Sequence, residues 1–173
     1  MAPAARRALP NPAAKIQSRR ALAQTVARLR RAGRCIVFAN GCFDILHVGH
    51  ARLLERARRL GDALVVGLNS DRSVQRLKGP TRPIVSERDR ARLLAALACV
   101  DYVTIFDEPT PLALITAIKP SVLVKGADWS AKEIIGREVV ERSGGRVVRI
   151  KLLEGYSTTK LLERICRQNA PIR

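Results

Sequence analysis

The stretch from Cys35 to His50 constrains the fold of this chain more than any other. Residues 35–39 form a short apolar run without polar alternation, which is the pattern of a parallel strand buried on both faces. A turn containing Gly41 follows, and a helix is predicted to begin near Leu46. A buried strand that leads through a glycine turn into a helix is the opening unit of a doubly wound α/β sheet.

His47 and His50 are three residues apart, so a helix places them side by side on its first turn. The free N–H groups and the positive dipole end of that turn favour an anion. The alternative is a surface pair or two metal ligands, but these are the only histidines, and Glu55 is poorly placed as a third ligand. Both histidines follow the carboxyl end of the first predicted strand, where open α/β sheets bind ligands, so we predict a polyphosphate site.

The rest of the chain continues the alternation of strand and helix, with Gly and Pro at most of the breaks. Further strands are predicted at 63–68, 102–106, 121–125 and 146–152, helices at 18–31, 47–60, 71–76, 87–98, 110–118, 131–143 and 158–167, and a loop at 77–85. Strand–helix–strand units of this spacing give right-handed crossovers. The predicted fold is a single Rossmann-like, doubly wound five-stranded parallel sheet flanked by helices.

A chain of 173 residues has the size of one domain with one substantial core. We expect residues 1–16, rich in Ala, Pro and Arg, to be a disordered basic tail, and residues 17–169 to be the folded domain. The sequence contains neither a run of eighteen apolar residues nor a signal-peptide pattern. Its four cysteines lack zinc or CxxC spacing, so we expect a cytoplasmic protein with reduced thiols.

The formal charge of +17 raises the question of nucleic-acid binding. About half of the excess falls in the first 34 residues, which hold nine Lys and Arg and no acid. Aromatic residues make up 3% of the chain, too few for a platform that stacks single-stranded bases. No helix-turn-helix or zinc-finger pattern is present. Small anionic substrates are therefore the preferred explanation, and we consider a nucleic-acid partner improbable.

The run GCFDILHVGH, residues 41–50, resembles the GxFDxxHxGH signature of the cytidylyltransferase-like nucleotidyltransferases. Four more runs, NSD at 69–71, RLKG at 76–79, LVKGAD at 123–128 and GYSTT at 155–159, make the chain similar to the adenylyltransferases that form ADP-heptose from heptose 1-phosphate in bacterial lipopolysaccharide assembly. The resemblance covers residues 18–165. It implies a stand-alone homodimeric enzyme that uses ATP and Mg²⁺, with a separate kinase supplying the sugar phosphate.

Nucleotidyl transfer depends mostly on positioning and on neutralising negative charge. In the resembled family the histidine pair, here His47 and His50, contacts the nucleotide phosphates, and so does the lysine of the RLKG run, here Lys78. We take these three as the candidate catalytic residues. An ammonium suits phosphate as a mobile point charge, and this interpretation is preferred over a solvated loop charge for Lys78. Gly49 leaves the backbone open to an approaching phosphate.

Four residues around the end of the first strand are candidates for nucleotide binding. The Asn40 amide either satisfies the turn or touches the phosphates, and Gly41 belongs to the same turn. Phe43 belongs either to the core or to a wall of the nucleotide pocket. Three roles are open for Asp44: it binds a bridging metal, fixes the turn or caps the helix. We assign no residue of the chain as a metal ligand.

The later motifs supply the remaining candidates. Lys125, Gly126 and Asp128 follow the fourth strand and would line the nucleotide or substrate pocket. The resemblance places Arg88 near the phosphates, although it could be a surface residue.

The hydroxyls of Ser157, Thr158 and Thr159 precede the last helix and could form a second anion cradle. An ordinary helix cap needs only one hydroxyl, so three in succession favour phosphate binding.

Two other functions remain open from the residues. The first is a cytidylyltransferase that acts on glycerol 3-phosphate or a similar alcohol phosphate. The second, from a different class, is a basic nucleotide- or RNA-binding protein without catalysis. Nothing in the spacing of residues identifies the nucleobase, so the preference for ATP follows from the resemblance alone.

Overall fold

A computed structural model describes residues 11–126 and 134–168 of the chain. Within these ranges five strands form one sheet. They are β1 Ile36–Gly41, β2 Ala63–Asn69, β3 Tyr102–Phe106, β4 Val122–Gly126 and β5 Arg146–Ile150. The strands follow the order β3-β2-β1-β4-β5, and every neighbouring pair is parallel. The predicted doubly wound parallel sheet is confirmed.

The order of the strands reverses direction next to β1. The chain moves outward from β1 to β2 and β3, and then returns to the other side of β1 for β4 and β5. The connections on the two sides of this point lie on opposite faces of the sheet, so a crevice opens beyond the carboxyl ends of β1 and β4. The loops that follow these two strands therefore define the place where a ligand can bind.

The helices cover both faces of the sheet. They are α1 Arg19–Arg31, α2 Val48–Arg58, α3 Asp71–Lys78, α4 Glu87–Ala96, α5 Leu112–Ile118, α6 Arg137–Arg142 and α7 Thr158–Gln168. None of these described helices combines the length and the apolar character needed to cross a bilayer.

Alternate side chains of β1 enter two separate hydrophobic cores. Ile36 and Phe38 pack into the core that α1, α5 and α6 cover, whereas Val37 and Ala39 pack into the core that α2 and α4 cover. All four are fully or almost fully buried. This double burial explains why the sequence of β1 shows no polar alternation.

Part of the predicted disordered tail is ordered, so that prediction is wrong for residues 11–16. Asn11 caps a short 3-10 helix, Pro12–Lys15, through its side chain. Ile16 then forms a parallel bridge with Val103 of β3 and packs against the core. The reason is that Ile16 reaches an apolar edge of the sheet, a long-range contact that the Ala- and Pro-rich composition did not reveal. Residues 1–10 lie outside the described part of the chain.

Most predicted boundaries differ from the structure by a few residues, including those of β1, α3 and α6. Strand β1 continues through Gly41, and α3 continues to Lys78, so this lysine ends a helix and does not lie within a loop. Helix α6 begins at Arg137, because Gly136 precedes it with a left-handed φ of 89°. Residues 131–133 of the predicted helix lie outside the described residues.

A glycine of β2 makes room for the largest side chain of β1. A Cβ atom placed on Gly67 would lie 2.7 Å from Cζ of Phe38 and 3.2 Å from Cδ2 of Leu114. We therefore expect Gly67→Ala to lower the free energy of unfolding by about 1–3 kcal/mol through overpacking. Urea denaturation measures this change. Phe38→Leu should lower the free energy of unfolding by less in the Gly67→Ala background than in the wild type. Equal losses in the two backgrounds would contradict the proposed steric conflict.

Candidate active site

The two histidines form a stacked pair at the start of α2. His47 is the N-cap residue, with an extended backbone and no side-chain capping bond, and His50 lies in the first turn. Their ring centroids are 3.8 Å apart and the rings are nearly parallel, at 20°. Phe43 packs edge-on against His50 with a centroid distance of 5.1 Å. The three rings therefore form one rigid wall beside the free N–H groups of the helix.

Both histidines are neutral near pH 7. Burial lowers the pKa of His47, and burial together with the neighbouring His47 lowers the pKa of His50 to about 4. Both Nδ1 atoms are buried and lack a hydrogen-bond partner within residues 11–126 and 134–168. A buried unpaired N–H is rarer than a buried unpaired acceptor, so we infer that Nε2 carries the proton. Each ring can then donate Nε2–H to a phosphate oxygen.

Gly49 is required by the ring of His47. A Cβ atom on Gly49 would lie 2.9 Å from Nδ1 of His47 and 3.3 Å from Cβ of Tyr156. The glycine thus allows the imidazole to fold back over the helix and to stack on His50. The same distances place the GYSTT run directly beside the histidine pair, two motifs that are about a hundred residues apart in sequence.

Asn40 and Lys125 meet at the point where the strand order reverses. Asn40 is next to last in β1, and Lys125 is next to last in the neighbouring β4. The Lys125 ammonium donates to Oδ1 of Asn40 at 2.6 Å. The positive charge is therefore anchored at the crevice beyond the carboxyl ends of these strands. Gly41 and Gly126 are the last residues of the same two strands.

The Asp44 carboxylate fixes a loop. Its Oδ1 accepts the N–H groups of Ile84 and Val85 at 2.8 and 2.9 Å, and its Oδ2 accepts both Nε and Nη2 of Arg82 at 2.6 Å. The carboxylate is almost completely buried. Four N–H groups occupy the lone-pair directions of its two oxygens. Of the roles considered for Asp44, the structure therefore supports fixing the chain over binding a metal.

Phe43 connects this loop to the histidines. It is buried, with 4% exposed, and it has a left-handed φ of 44°. Aromatic residues seldom adopt this conformation, and such strain is concentrated at functional sites. The strained turn directs its ring toward both Gly41 and His50, so Phe43 contacts the histidine pair as well as the core.

Lys78 is the last residue of α3 and is exposed. Burial raises the pKa of the Cys42 thiol, whereas the positive charges of Lys78 and Arg90 have the opposite, smaller effect and lower it. The Lys78 ammonium is therefore close enough to act electrostatically on the turn between β1 and α2.

The hydroxyl run at α7 serves in part as a cap. The Ser157 hydroxyl accepts the N–H of Lys160 at 3.2 Å, as the capping alternative requires. Thr158 and Thr159 are the first residues of the helix. Ser157 and Thr158 are half-buried, and Thr159 is exposed.

A cleft of about 310 Å³ lies beside this run. Gly49, Arg52 and Leu53 of α2 line one side, and residues 151–154 line the other. The lining combines three leucine side chains with the basic groups of Arg52, Arg56 and Lys151 and the acidic group of Glu154.

The structure does not bring every predicted residue into contact with the site. Arg88 is exposed on α4 and forms no hydrogen bond or ion pair with the described residues. Asp128 lies outside the described residues. Sequence reasoning missed Arg90, which is fully buried two residues after Arg88. The sequence did contain a signal of this burial, because Arg90 occupies the same helix face as the apolar Leu94.

The low pKa of His50 makes folding stability depend on pH. In the unfolded chain His50 binds a proton near pH 6.5, but in the folded protein only near pH 4. The contribution of the neutral His50 to the free energy of unfolding is therefore fully present above pH 6.5 and is lost as the pH falls toward 4. Between pH 7 and pH 5 we expect His50 to account for a loss of about 2 kcal/mol. Urea unfolding at both pH values should show a smaller loss for His50→Gln; equal losses would contradict the assignment.

The sequence and the structure both have close relatives. The cytidylyltransferase-like family model matches residues 38–164. The bifunctional protein HldE of Syntrophotalea carbinolica is 55% identical over 151 residues, which are 87% of this chain and 31% of that protein. Its namesake in Koribacter versatilis is 57% identical with the same coverage, and that of Geotalea uraniireducens is 54% identical over 90% of this chain and 32% of its own. The chain spans about a third of the length of these relatives.

A solved structure extends the comparison. The lipopolysaccharide core biosynthesis protein of Thermoplasma volcanium aligns with a TM-score of 0.60 and 32% identity, over 70% of this chain and 99% of that one. The region that the family model matches, residues 38–164, contains His47, His50 and most of the sheet. The chain belongs to the cytidylyltransferase-like family of nucleotidyltransferases.

Proposed function

We propose that the protein transfers AMP from ATP to D-glycero-β-D-manno-heptose 1-phosphate, giving ADP-heptose and pyrophosphate for lipopolysaccharide core biosynthesis. The stacked, neutral pair of His47 and His50 at a helix N-terminus is the observation that carries the proposal. The HldE relatives and the lipopolysaccharide core protein support the choice of sugar and pathway, together with the motifs that the sequence shares with ADP-heptose-forming enzymes.

The reaction asks the protein to position two anions and to neutralise charge. An oxygen of the sugar phosphate attacks the α-phosphorus of ATP in line, and pyrophosphate leaves. Two Nε2–H groups, the free N–H groups of α2 and the ammonium groups of Lys78 and Lys125 surround the place where charge develops. Preorganised donors of this kind stabilise the transition state more than water does, because they need no reorientation during the reaction.

The cleft beside Gly49 is our candidate for the nucleoside. Leu53, Leu152 and Leu153 offer apolar surface to a flat base, and the His47 ring lies beside Gly49, which lines the cleft. A nucleoside in this cleft would therefore place its α-phosphate toward the histidine pair. The choice of ATP over CTP rests on the resemblance of the sequence motifs.

We propose that Mg²⁺ binds to the protein as part of its complex with the triphosphate. Within residues 11–126 and 134–168 no three His, Cys, Asp or Glu side chains are grouped to hold a metal ion, and Asp44 is occupied by four N–H donors. Mg²⁺ commonly keeps several waters and binds through substrate phosphates. We therefore treat the Mg²⁺–ATP complex as the substrate, with no protein residue assigned to the metal.

We further propose a cytoplasmic homodimer without a nucleic-acid partner. The cysteines Cys35, Cys42, Cys99 and Cys166 are all free thiols, as a reducing compartment favours. Helix α7 buries none of its residues, and Ile165 on it is 49% exposed, which is compatible with cover by a second subunit. Light scattering of the purified protein measures the oligomeric state.

Pyrophosphate release tests the proposed reaction. The purified protein is given ATP or CTP in combination with heptose 1-phosphate or glycerol 3-phosphate. We expect turnover with ATP and heptose 1-phosphate. Turnover only with CTP and glycerol 3-phosphate would instead identify an alcohol-phosphate cytidylyltransferase. No turnover with any pair, together with tight and salt-sensitive RNA binding, would favour a binding protein.

The histidines are tested with the same assay. His47→Ala and His50→Ala should each lower kcat at least a hundredfold, because each removes a donor aimed at the developing charge. Circular dichroism should show an intact fold. Glu55→Ala, an exposed change on the same helix, serves as the matched control and should keep wild-type kcat. Full activity in either histidine variant would refute the site.

Gly49→Ala tests the placement of the His47 ring. The added Cβ would lie 2.9 Å from Nδ1 of His47, so the ring must move away from its stack on His50. We expect kcat to fall at least tenfold while the unfolding midpoint changes little, since alanine favours a helix. If kcat stays within twofold of the wild type, the stacked geometry is not needed for turnover.

A further inference from the structure

We propose that Arg90 is a positioning residue for nucleotidyl transfer, because its buried guanidinium holds three loops of the active site in one fixed arrangement. The inference rests on the proposed function, since it concerns the same site. Arg90 itself is enclosed by protein and has no exposed surface. It therefore acts through the backbone groups that it binds.

Arg90 lies on the inner face of α4, next to Ala91 and on the same side as Leu94. Arginine at such a place is unusual, because a buried charge is costly unless hydrogen bonds satisfy it. Replacing a buried ion pair by apolar residues is often neutral or stabilising. The presence of a guanidinium here therefore needs a reason other than stability.

The guanidinium binds a backbone carbonyl in each of three loops. Its Nε donates to the Val85 carbonyl at 2.9 Å, and its Nη1 donates to the carbonyls of Cys42 at 2.5 Å and Asn69 at 2.9 Å. Its Nη2 donates to the Asp71 carboxylate at 2.7 Å. The planar fork thus fixes the direction as well as the distance of these groups.

Each of these loops leads to a residue of the site. Cys42 lies in the turn between β1 and the histidine pair. Asn69 ends β2 and leads into α3, whose last residue is Lys78. Val85 ends the loop that carries Arg82. These contacts link segments that follow two different strands of the sheet.

The contacts also close a ring that contains Asp44. The Val85 carbonyl accepts from Arg90, while the Val85 N–H donates to Asp44. Asp44 stands two residues after Cys42, whose carbonyl also accepts from Arg90. A displacement of the guanidinium would therefore shift the strained turn at Phe43, and with it the ring that packs on His50.

The charge of Arg90 reaches the site as well. Among the described residues its one carboxylate partner is Asp71, whose side chain is 35% exposed, and its other partners there are neutral carbonyls. Its positive charge lowers the pKa of the Cys42 thiol, in opposition to the larger rise caused by burial. The guanidinium is therefore close enough to the turn that precedes the histidines for its charge to act there, together with the charges of Lys78 and Arg82 and against that of Asp44.

Arg90→Lys is the principal test, because lysine keeps the charge but its ammonium cannot span four acceptors in a plane. At a temperature well below the unfolding transition, we expect kcat to fall at least thirtyfold and ATP affinity, measured by calorimetry, at least threefold. The loss in kcat should exceed the loss in affinity about tenfold, because misplacement affects the transition state most. The exposed Arg92→Lys on the same helix is the matched control and should behave as wild type.

A purely structural role predicts a different result. Arg90→Lys would then unfold at a lower temperature but keep kcat and ATP affinity within twofold of wild type while folded, and this outcome would overturn the proposal. If Arg90→Lys fails to fold, Asp71→Ala decides. This variant removes one partner of the guanidinium, and a kcat at least threefold lower supports positioning, whereas an unchanged kcat overturns it.

The proposal can fail separately from the proposed function. If the wild type does not use heptose 1-phosphate, the function is wrong. The role of Arg90 is then judged from the binding of ATP, or of CTP if the wild type binds CTP instead, in wild type and Arg90→Lys. An affinity unchanged between the two would overturn the inference whatever the acceptor.

Discussion

The parallel pairing of β1 with β4 is the constraint on which the rest of the site depends. Because all five strands run in the same direction, every loop that follows a strand emerges at one edge of the sheet. The reversal of strand order beside β1 then separates two of these loops and leaves an opening between them. Asn40 and Lys125 occupy the two sides of that opening and hold each other by a hydrogen bond. The chemistry of the site begins with this topology.

The site combines mobile positive charge with fixed neutral donors. Lys78 is exposed at the end of a helix, and it can follow a phosphate as it moves. The two imidazoles are neutral, stacked and partly buried, so they offer direction without a full charge. In the proposed reaction, the lysines attract a nucleotide with several negative charges and the histidines orient it. This division of tasks suits a reaction whose main difficulty is alignment.

Sequence reasoning predicted those parts of the site that depend on local spacing. The pairing of His47 with His50 follows from helix geometry, and the position of Lys125 follows from the order of strands. The role of Gly49 was only partly foreseen, since the structure uses it to make room for an imidazole. The apolar pattern ended the first strand at Ala39, whereas in the structure β1 continues through Asn40 and Gly41.

Other parts depend on long-range contacts that no local pattern contains. Asp44 has its partners about forty residues away, so the spacing around it could not decide between a metal ligand and a loop anchor. Arg90 was overlooked because arginine is ordinarily assumed to face solvent. Resemblance to a family directed attention to Arg88, although the helix periodicity favours Arg90 as the buried position. A polar residue on an apolar face is the signal to look for.

The bridge between Ile16 and Val103 has a consequence for association between molecules. Strand β3 is an outer strand, and an uncovered outer strand invites pairing with another chain. Here Ile16 lies along it, and the Gln17 N–H donates to the Val103 carbonyl. The opposite outer strand, β5, carries the exposed residues Arg146 and Arg149, whose charge disfavours the approach of another strand. Both edge strands of the sheet are thus protected from pairing with strands of other molecules. The segment at Ile16 covers β3, and the charges of Arg146 and Arg149 protect β5.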